Sequence, residues 1–285
     1  MRSIIWRRFR KHPAAIICST MLVIILLSVI FVFLSPYDPN VSDISSRLQP
    51  PSWQHPMGTD PLGRDMLTRI LYGGRISISV ALMVVAITLI IGMPIGAAAG
   101  FFGGKIDNFL MRITDIALTL PSLLILILLG TILREIEIPL FTSNSVMTIA
   151  LVIGFLSWMT VSRLLRAEYL SIREMEYVEA AHSMGATDFR IMTRHILPNA
   201  ISPIIVQSTL ALGFAIMLES GLSFLGFGIQ PPTPSWGNLL NNAQEHMTLH
   251  PWLAVFPGLM IFLTVVSINY IGDALRDALD PRHVI

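Results

Sequence analysis

A polar segment between two long apolar runs carries the residues best suited to contact another protein. Its informative positions are an acidic residue, two alanines, a glycine and a closing pair: Glu179, Ala180, Ala181, Gly185, Leu197 and Pro198. Alanine side chains are small, so another protein can approach the backbone of a short helix closely. Glu179 offers one fixed negative charge to a basic partner. The segment therefore predicts a contact surface for a partner protein.

The same segment contains residues that bend a chain stiffly. Gly185 is expected to end the first short helix, since a residue without Cβ adopts the left-handed turn at no steric cost. Thr187 or Asp188 can then cap a second short helix. Pro198 pre-shapes the first turn of the apolar helix that follows. We expect a stiff elbow that a partner can push as a lever; the alternative is an ordinary helical hairpin, which also uses alanine and glycine.

No group of residues predicts catalysis or a bound metal. The single cysteine, Cys18, lies inside an apolar run, which excludes an internal disulfide and a multi-cysteine metal site. His246 and His250 are four residues apart, but no third ligand follows at helical spacing. The chain has neither a GxxxxGK[ST] phosphate loop nor a GxSxG nucleophile motif. The sequence therefore predicts no ATP site, no metal site and no catalytic residue.

The composition is typical of a protein that crosses a membrane. Of 285 residues, 53% are apolar and 13% are charged, which is too hydrophobic for a soluble domain of this size. About 20 apolar residues cross a bilayer as a helix. Six runs approach or exceed that length: residues 14–34, 76–102, 116–133, 146–162, 200–218 and 253–272. Each is expected to be helical, because backbone polar groups must pair internally in lipid and no alternating barrel pattern is present.

Arginine and lysine residues set the expected orientation. With the N-terminus inside, the inner segments hold 14 of the 19 basic residues. Both termini and the polar segment 163–199 are therefore expected on the cytoplasmic side of a cytoplasmic (inner) membrane. The net charge of +1 indicates no nucleic-acid partner, since the basic residues lie beside span ends and form no patch.

The chain divides into three parts. Residues 1–75 hold the first helix and a proline-rich outer loop, which ends in an amphipathic piece at residues 66–72. The first apolar run is longer than the core of a signal peptide and lacks a small-residue cleavage site, so we expect a retained helix. Residues 76–272 form a five-helix core that includes the polar segment, and residues 273–285 form a short tail.

The polar segment also matches a known pattern. It has EAA, a glycine six positions after the Glu, and Leu-Pro 18 and 19 positions after it. This resembles the EAA loop of membrane subunits of ATP-driven importers, although His195 stands where that pattern has isoleucine. Two further phrases, GTDPLGRD at residues 58–65 and SFLGFGIQPPTPSWGNLL at residues 223–240, accompany RHILPNA. Together they are similar to the second permease subunit of the peptide and nickel group of ABC importers, over residues 6–281.

This resemblance implies an all-α, type I ABC importer permease core with six transmembrane helices. Such a subunit forms a heterodimer with a related first permease and is driven by two ATPase subunits, which bind ATP and Mg²⁺. An external solute-binding protein delivers the cargo. The EAA residues, Gly185 and Leu197-Pro198 would then couple this non-catalytic chain to the ATPases. The expected cargo is peptide, with nickel chelates and glutathione as alternatives.

Charged residues near the outer side each have two interpretations. Glu219 follows Ala200 by 19 residues, which at ~1.5 Å per residue places it near the outer surface. It either lines the mouth of the pathway or contacts the partner permease or the adjacent polar loop. Asp60, Arg64 and Asp65 are either a contact for the binding protein or a self-satisfied loop network, which the sequence favours.

Two features inside the predicted spans need an explanation of their own. Glycines recur every four residues in and after the second span: Gly92, Gly96, Gly100 and Gly104. They favour a static packing face between membrane helices over a moving hinge. Asp115 is charged within the third span, and we expect it to pair with Arg112 one turn earlier.

Two other classes of membrane protein are weaker alternatives. An intramembrane enzyme needs a nucleophile with its base, or an acidic pair, at mid-membrane depth. A secondary transporter needs ligands inside the membrane and usually inverted repeats. The five-helix core shows none of these in its sequence. Neighbouring ATPase and binding-protein genes would discriminate the importer from both.

Overall fold

The computed structural model describes residues 9, 12–135 and 145–279, and these residues are mostly helical. Their helices are α1 (Pro13–Ile30), α2 (Met66–Phe102), α3 (Gly104–Thr119), α4 (Ser122–Glu135), α5 (Ser145–Phe155), α6 (Trp158–Arg173), α7 (Glu176–Ser183), α8 (Asp188–Arg190), α9 (Leu197–Phe224), α10 (Trp236–Ala243) and α11 (Trp252–Leu279). Two 3₁₀ turns, Phe31–Leu34 and Ile44–Ser46, and one π turn, Ile191–Ile196, lie between them. Within this part of the chain no strand occurs beyond an isolated bridge, which confirms the all-α prediction.

Four helices of the described residues are long and apolar enough to cross a membrane. They are Pro13–Leu34, Met66–Phe102, Asp188–Phe224 and Trp252–Leu279. Two further spans are broken: α3 and α4 meet at 87°, and α5 and α6 at 42°. Counting each bent pair as one span gives six, as predicted. The third and fourth predicted spans are therefore present. The expectation that each is one continuous helix was wrong, because both are bent.

The two breaks have different local causes. Pro121 holds Leu120 in an extended backbone, with φ −72° and ψ 136°, because the proline ring crowds the residue before it. At the second break, Leu156 and Ser157 donate their N–H groups to carbonyls three residues earlier, at 3.2 Å each. Such i→i+3 bonds tighten a helix end. Both spans consequently change direction within their predicted apolar runs.

The second membrane helix, α2, begins earlier than predicted. Asp65 caps it by accepting the N–H of Thr68 at 2.8 Å. The amphipathic piece 66–72 is the first part of this 37-residue helix. The predicted span began just after Arg75, but this charged residue lies on the exposed side of the helix and does not interrupt it. At ~1.5 Å per residue the helix is much longer than the ~30 Å hydrocarbon core. It therefore also positions groups outside the bilayer.

A stripe of glycines brings α2 close to α6. A Cβ on Gly92, Gly96 or Gly100 would lie 2.8, 2.4 or 2.5 Å from the nearest atom of α6. These three positions form the predicted packing face. Gly104 does not belong to it: α2 ends before this residue, which has φ +53° and no atom within 4 Å of a Cβ. Gly104 is instead the first residue of α3.

The buried apolar side chains form two clusters. The outer core joins α2, α5, α9, α10 and α11 around Ile70, Ile216 and Trp236. The inner core joins α2, α6, the polar segment and the start of α9 around Leu165 and Ile191. The polar segment is thus packed onto the membrane helices. The N-terminal basic residues and Arg282, which enter the orientation count, lie outside the described residues.

Candidate functional site

The predicted contact segment folds as the short helix α7, which has one buried and one exposed face. Val178 and Ala181 belong to the buried face and are 4% and 2% exposed. Glu179 and Ala180 lie on the exposed face. The two alanines predicted to admit a partner therefore have different roles: Ala181 packs against this chain, and Ala180 is open to a partner.

Gly185 ends α7 by the predicted left-handed turn, with φ +78°. Its N–H donates to His182 O at 2.9 Å, and the N–H of Ala186 donates to Ala181 O at 3.1 Å. These two bonds are the pair that defines a Schellman C-cap. No atom lies within 4 Å of a Cβ built at Gly185. The backbone conformation, and not lack of space, is therefore what requires glycine here.

The second short helix, α8, differs from its prediction. Thr187 stands at its N-cap, but no side-chain hydrogen bond caps the helix. α8 has only three residues and continues into the π turn, so one helical segment runs over Asp188–Phe224. The elbow is therefore continuous with the membrane helix that follows it.

The π turn has its cause in Pro198. Proline has no N–H to donate to the carbonyl four residues earlier, so the regular ladder is interrupted here. The N–H of Leu197 reaches back five residues and donates to Met192 O. His195 O accepts from the side-chain amide of Asn199 at 2.8 Å. Leu197 is half-buried and Pro198 exposed, which places the closing pair of the motif at the first turn of α9.

Side-chain hydrogen bonds tie the elbow to its neighbours. Tyr169 Oη, on α6, donates to Met192 O in the π turn at 3.0 Å. Arg173, in the last turn of α6, donates to Phe101 O at the end of α2 at 2.9 Å. Asn199 donates to Tyr177 Oη of α7 at 3.0 Å. The elbow is therefore hydrogen-bonded to α6 and to the first turn of α9, and α6 is in turn hydrogen-bonded to the end of α2.

Two ion pairs connect α3 with α6 beside the elbow. Arg166 makes a bidentate contact with Asp107, with one of its two bonds at 2.6 Å. Arg163 pairs with Asp115. The prediction that Asp115 pairs with Arg112 was wrong, because α6 lies alongside α3 and brings Arg163 within reach of Asp115.

An open cleft of about 570 Å³ lies beside the elbow. Its charged wall contains three acidic residues and one arginine: Glu174, Glu179, Asp188 and Arg173. Met184 and Phe189, next to the Gly185 turn, are 82% and 77% exposed. Neither residue was predicted from the sequence, although an apolar residue on each side of a glycine in a polar segment is a recognisable signal. The elbow thus exposes acidic groups in the cleft and apolar surface at Met184 and Phe189.

In the predicted outer loop, the carboxylates are occupied within the chain. Asp60 accepts from Arg64 Nε at 2.7 Å and from the backbone N–H groups of Leu62 and Arg64 at 2.8 and 2.9 Å. Asp65 caps α2 and contacts His55 Nδ1 at 2.9 Å. Asp60 and Asp65 are 4% and 3% exposed. This is the self-satisfied network that the sequence favoured.

Asp43 has two further roles in the outer loop, one through its side chain and one through its backbone. Hydrogen bonds from the hydroxyls of Ser45 and Ser46 hold the pKa of Asp43 below its ordinary value. A Cβ on Gly63 would lie 1.7 Å from Asp43 O. Only glycine therefore fits against this turn.

Glu219 lies inside the protein and not at an open mouth. It is 0% exposed, and the hydroxyls of Ser77 and Ser223 each donate to its carboxylate at 2.7 Å. Those hydroxyls accept the N–H groups of Trp236 and Ile229 at 3.3 and 2.9 Å. Glu219 thus joins α9 to α2, to the loop after α9 and to the start of α10. Contact with the adjacent polar loop is the alternative that this geometry matches.

Comparisons with known proteins agree with the motifs. A family model described as a binding-protein-dependent transport system inner membrane component matches residues 92–284. The chain belongs to this permease family. A second model, the N-terminal transmembrane domain of oligopeptide transport permease C, matches residues 1–51 of the permease. The chain is thus an ABC importer permease.

Two relatives cover nearly the whole permease. A protein of Brucella suis biovar 1 (strain 1330), named as a peptide permease, is 42% identical over 278 residues, covering 96% of this chain and 89% of the relative. The glutathione transport system permease protein GsiD of Pectobacterium atrosepticum is 38% identical over 281 residues, covering 97% and 90%.

A solved structure shares the fold of the permease. A chain of the MetNI methionine ABC transporter in inward-facing conformations matches with a TM-score of 0.60 at 18% identity. The match covers 75% of this permease and 98% of that chain. At this identity the likeness shows the fold alone, and that fold is the predicted importer permease core.

Proposed function

We propose that this permease imports peptides across the cytoplasmic membrane as one half of a heterodimeric pore. Two ATPase subunits, which bind ATP and Mg²⁺, drive it, and an external solute-binding protein supplies the cargo. The observation that carries the proposal is the elbow: its exposed face presents Glu179 and Ala180, while Val178 and Ala181 pack onto the membrane helices. The chain itself is non-catalytic, with its elbow and termini in the cytoplasm.

In the proposed cycle, ATP binding closes the two ATPase subunits and draws in the elbow. The displacement passes through the buried face of α7 and along the continuous helix Asp188–Phe224. α9 then rocks against α2 and the pore opens outward, and product release reverses the movement. Met184 and Phe189 extend the contact, since burying their exposed apolar surface under a partner is favourable.

Peptide is the cargo that the Brucella relative supports. Glutathione is the second candidate, supported by the GsiD relative, and it is itself a tripeptide. Nickel chelates are the third possibility that the resemblance implies. Mass spectrometry of the ligand retained by the purified binding protein distinguishes the three. A bound nickel chelate without peptide would overturn the peptide assignment.

The coupling role is tested with the complete complex in membrane vesicles. Glu179→Lys reverses the contact charge, and it is expected to abolish ATP-driven uptake of a labelled tripeptide while the complex stays assembled. Glu245→Lys is the matched control, because Glu245 is exposed in the outer loop after α10. Normal uptake by Glu179→Lys with both ATPases bound would show that the elbow is not the coupling site.

A further inference from the structure

A cavity of about 440 Å³ lies where both broken spans bend. We name it the bend cavity. Its wall comes from α2, from the turn between α3 and α4, from the turn between α5 and α6, and from the middle of α9. The volume is within the range of about 300–1,000 Å³ that is usual for small-molecule sites. Four separate spans thus converge on one space of ligand size.

The lining of the bend cavity is neutral. All of its lining residues belong to the described part of the chain, and none is Asp, Glu, Lys, Arg or His. Its polar members are four hydroxyls and one amide: Thr88, Ser122, Ser157, Thr160 and Gln207. All other lining residues are apolar. The cavity therefore offers hydrogen bonds without a fixed charge.

One of these polar groups lacks a partner. Thr88 is 2% exposed, and its Oγ1 has no hydrogen bond. Thr114 and Thr131, also in helices, donate to the carbonyl four residues earlier at 2.9 and 2.8 Å, which is a usual solution for a helical threonine. Buried polar groups without a partner are rare in folded proteins. The hydroxyl of Thr88, a lining residue of the cavity, is therefore left unpaired within the chain.

We propose that the bend cavity is a binding site for the transported peptide, which it holds by the peptide backbone. This inference rests on the proposed function. Hydroxyl and amide groups both donate and accept, so they pair with the N–H and C=O groups of an extended peptide whatever its side chains. A fixed charge in the same place would attract one class of peptide and repel another. The neutral lining makes the site tolerant of side-chain charge.

Gln207 is the residue that links this site to the driving subunits. It is half-buried on α9, the helix that continues from the elbow. Its amide is the largest polar group of the lining, and it moves with α9. Rocking of α9 therefore changes the cargo contact directly.

The first test introduces a charge at this position. Gln207→Glu keeps the size of the side chain, and we expect uptake of a tripeptide with a central Asp to fall about tenfold relative to one with a central Ala. Uptake of the peptide with a central Lys should not fall. Gln244→Glu is the matched control, since Gln244 is exposed at the end of α10. An equal change for all three peptides, or the same pattern in the control, overturns the proposal.

The second test adds a charge after assembly and so avoids effects on folding. In a Cys18→Ala background, Ala211→Cys places a thiol on the cavity wall, one turn from Gln207. An anionic methanethiosulfonate reagent should reduce uptake of the acidic peptide most, and a cationic reagent should reduce uptake of the basic peptide most. Excess tripeptide should slow the labelling. Labelling without any effect on uptake would remove the cavity from the pathway.

The two proposals fail in distinguishable ways. A wild-type complex that imports none of the three tripeptides contradicts the proposed function. A wild-type complex that imports all three, with unselective losses in both variants, contradicts only the binding site. Wild-type import restricted to one charge class overturns the tolerance of the site.

Discussion

Gly185 is the residue on which the shape of the elbow depends. Its φ of +78° costs a residue with Cβ about 1–2 kcal/mol, and more for a β-branched one. We expect Gly185→Val to leave the complex in the membrane while uncoupling peptide uptake from ATP hydrolysis. Gly185→Asn is the matched control, because asparagine tolerates the left-handed conformation. Equal uptake by the Val and Asn variants in vesicles would show that the turn is not needed for coupling.

Glu219 has a role in packing that its burial defines. Since the carboxylate is 0% exposed and held by Ser77 and Ser223, Glu219→Gln should lower uptake of free and N-blocked peptides equally, together with the amount of assembled complex. Uptake and complex yield are measured side by side in the same vesicles. A loss confined to peptides with a free amino group would instead place Glu219 in the pathway.

Ser77 allows a milder test of the same contact. Ser77→Ala removes one donor to the buried Glu219 carboxylate and the acceptor of the Trp236 N–H, and it should destabilise the complex by about 1–3 kcal/mol, seen as a lower Tm of the purified complex. Ser79→Ala is the control, since Ser79 lies on the same helix and its hydroxyl donates to the carbonyl of Arg75, one turn earlier on that helix, at 2.6 Å. A Tm shift of the same size in both variants would remove the special role of the Glu219 contact.

At the scale of elements, the close contact of α2 with α6 depends on glycine. A Cβ on Gly96 would lie 2.4 Å from Ser162 O, a backbone atom that cannot rotate away. Gly96→Ala should therefore destabilise the permease by about 1–3 kcal/mol, measured as a fall in Tm and in complex yield. Gly221→Ala, on α9, has no atom within 4 Å of its Cβ and should be neutral or slightly stabilising. An unchanged Tm in Gly96→Ala would mean that the helices separate at no cost.

At the scale of the whole molecule, the orientation in the membrane follows from the basic residues. In a Cys18→Ala background, single cysteines at Ser52 and Asn242 should react with an impermeant thiol reagent from outside. A cysteine at Ser183 should react only after the membrane is opened. All three positions are exposed in the fold, so a difference in labelling reports the side of the membrane and not burial. Labelling of Ser183 from outside would invert the topology.

The properties that could be predicted from the sequence are those that depend on neighbours along the chain. The number of spans follows from the lengths of apolar runs, and the turn at Gly185 follows from one residue without Cβ. The occupied carboxylate of Asp60 was also predictable, because Arg64 lies four residues away. In each case the interacting groups are close in sequence, so local chemistry was sufficient.

The properties that only the tertiary structure decided depend on which helices lie side by side. Ser77 and Glu219 are 142 positions apart, and Asp115 takes Arg163 as its partner because α6 runs beside α3. The bend cavity arises where two broken spans and α9 meet, although each break has a local cause. A single sequence specifies the apolar face of every helix but not its neighbour, since many pairings bury similar apolar area. The neighbour is selected by close packing of the whole bundle, as at Gly96.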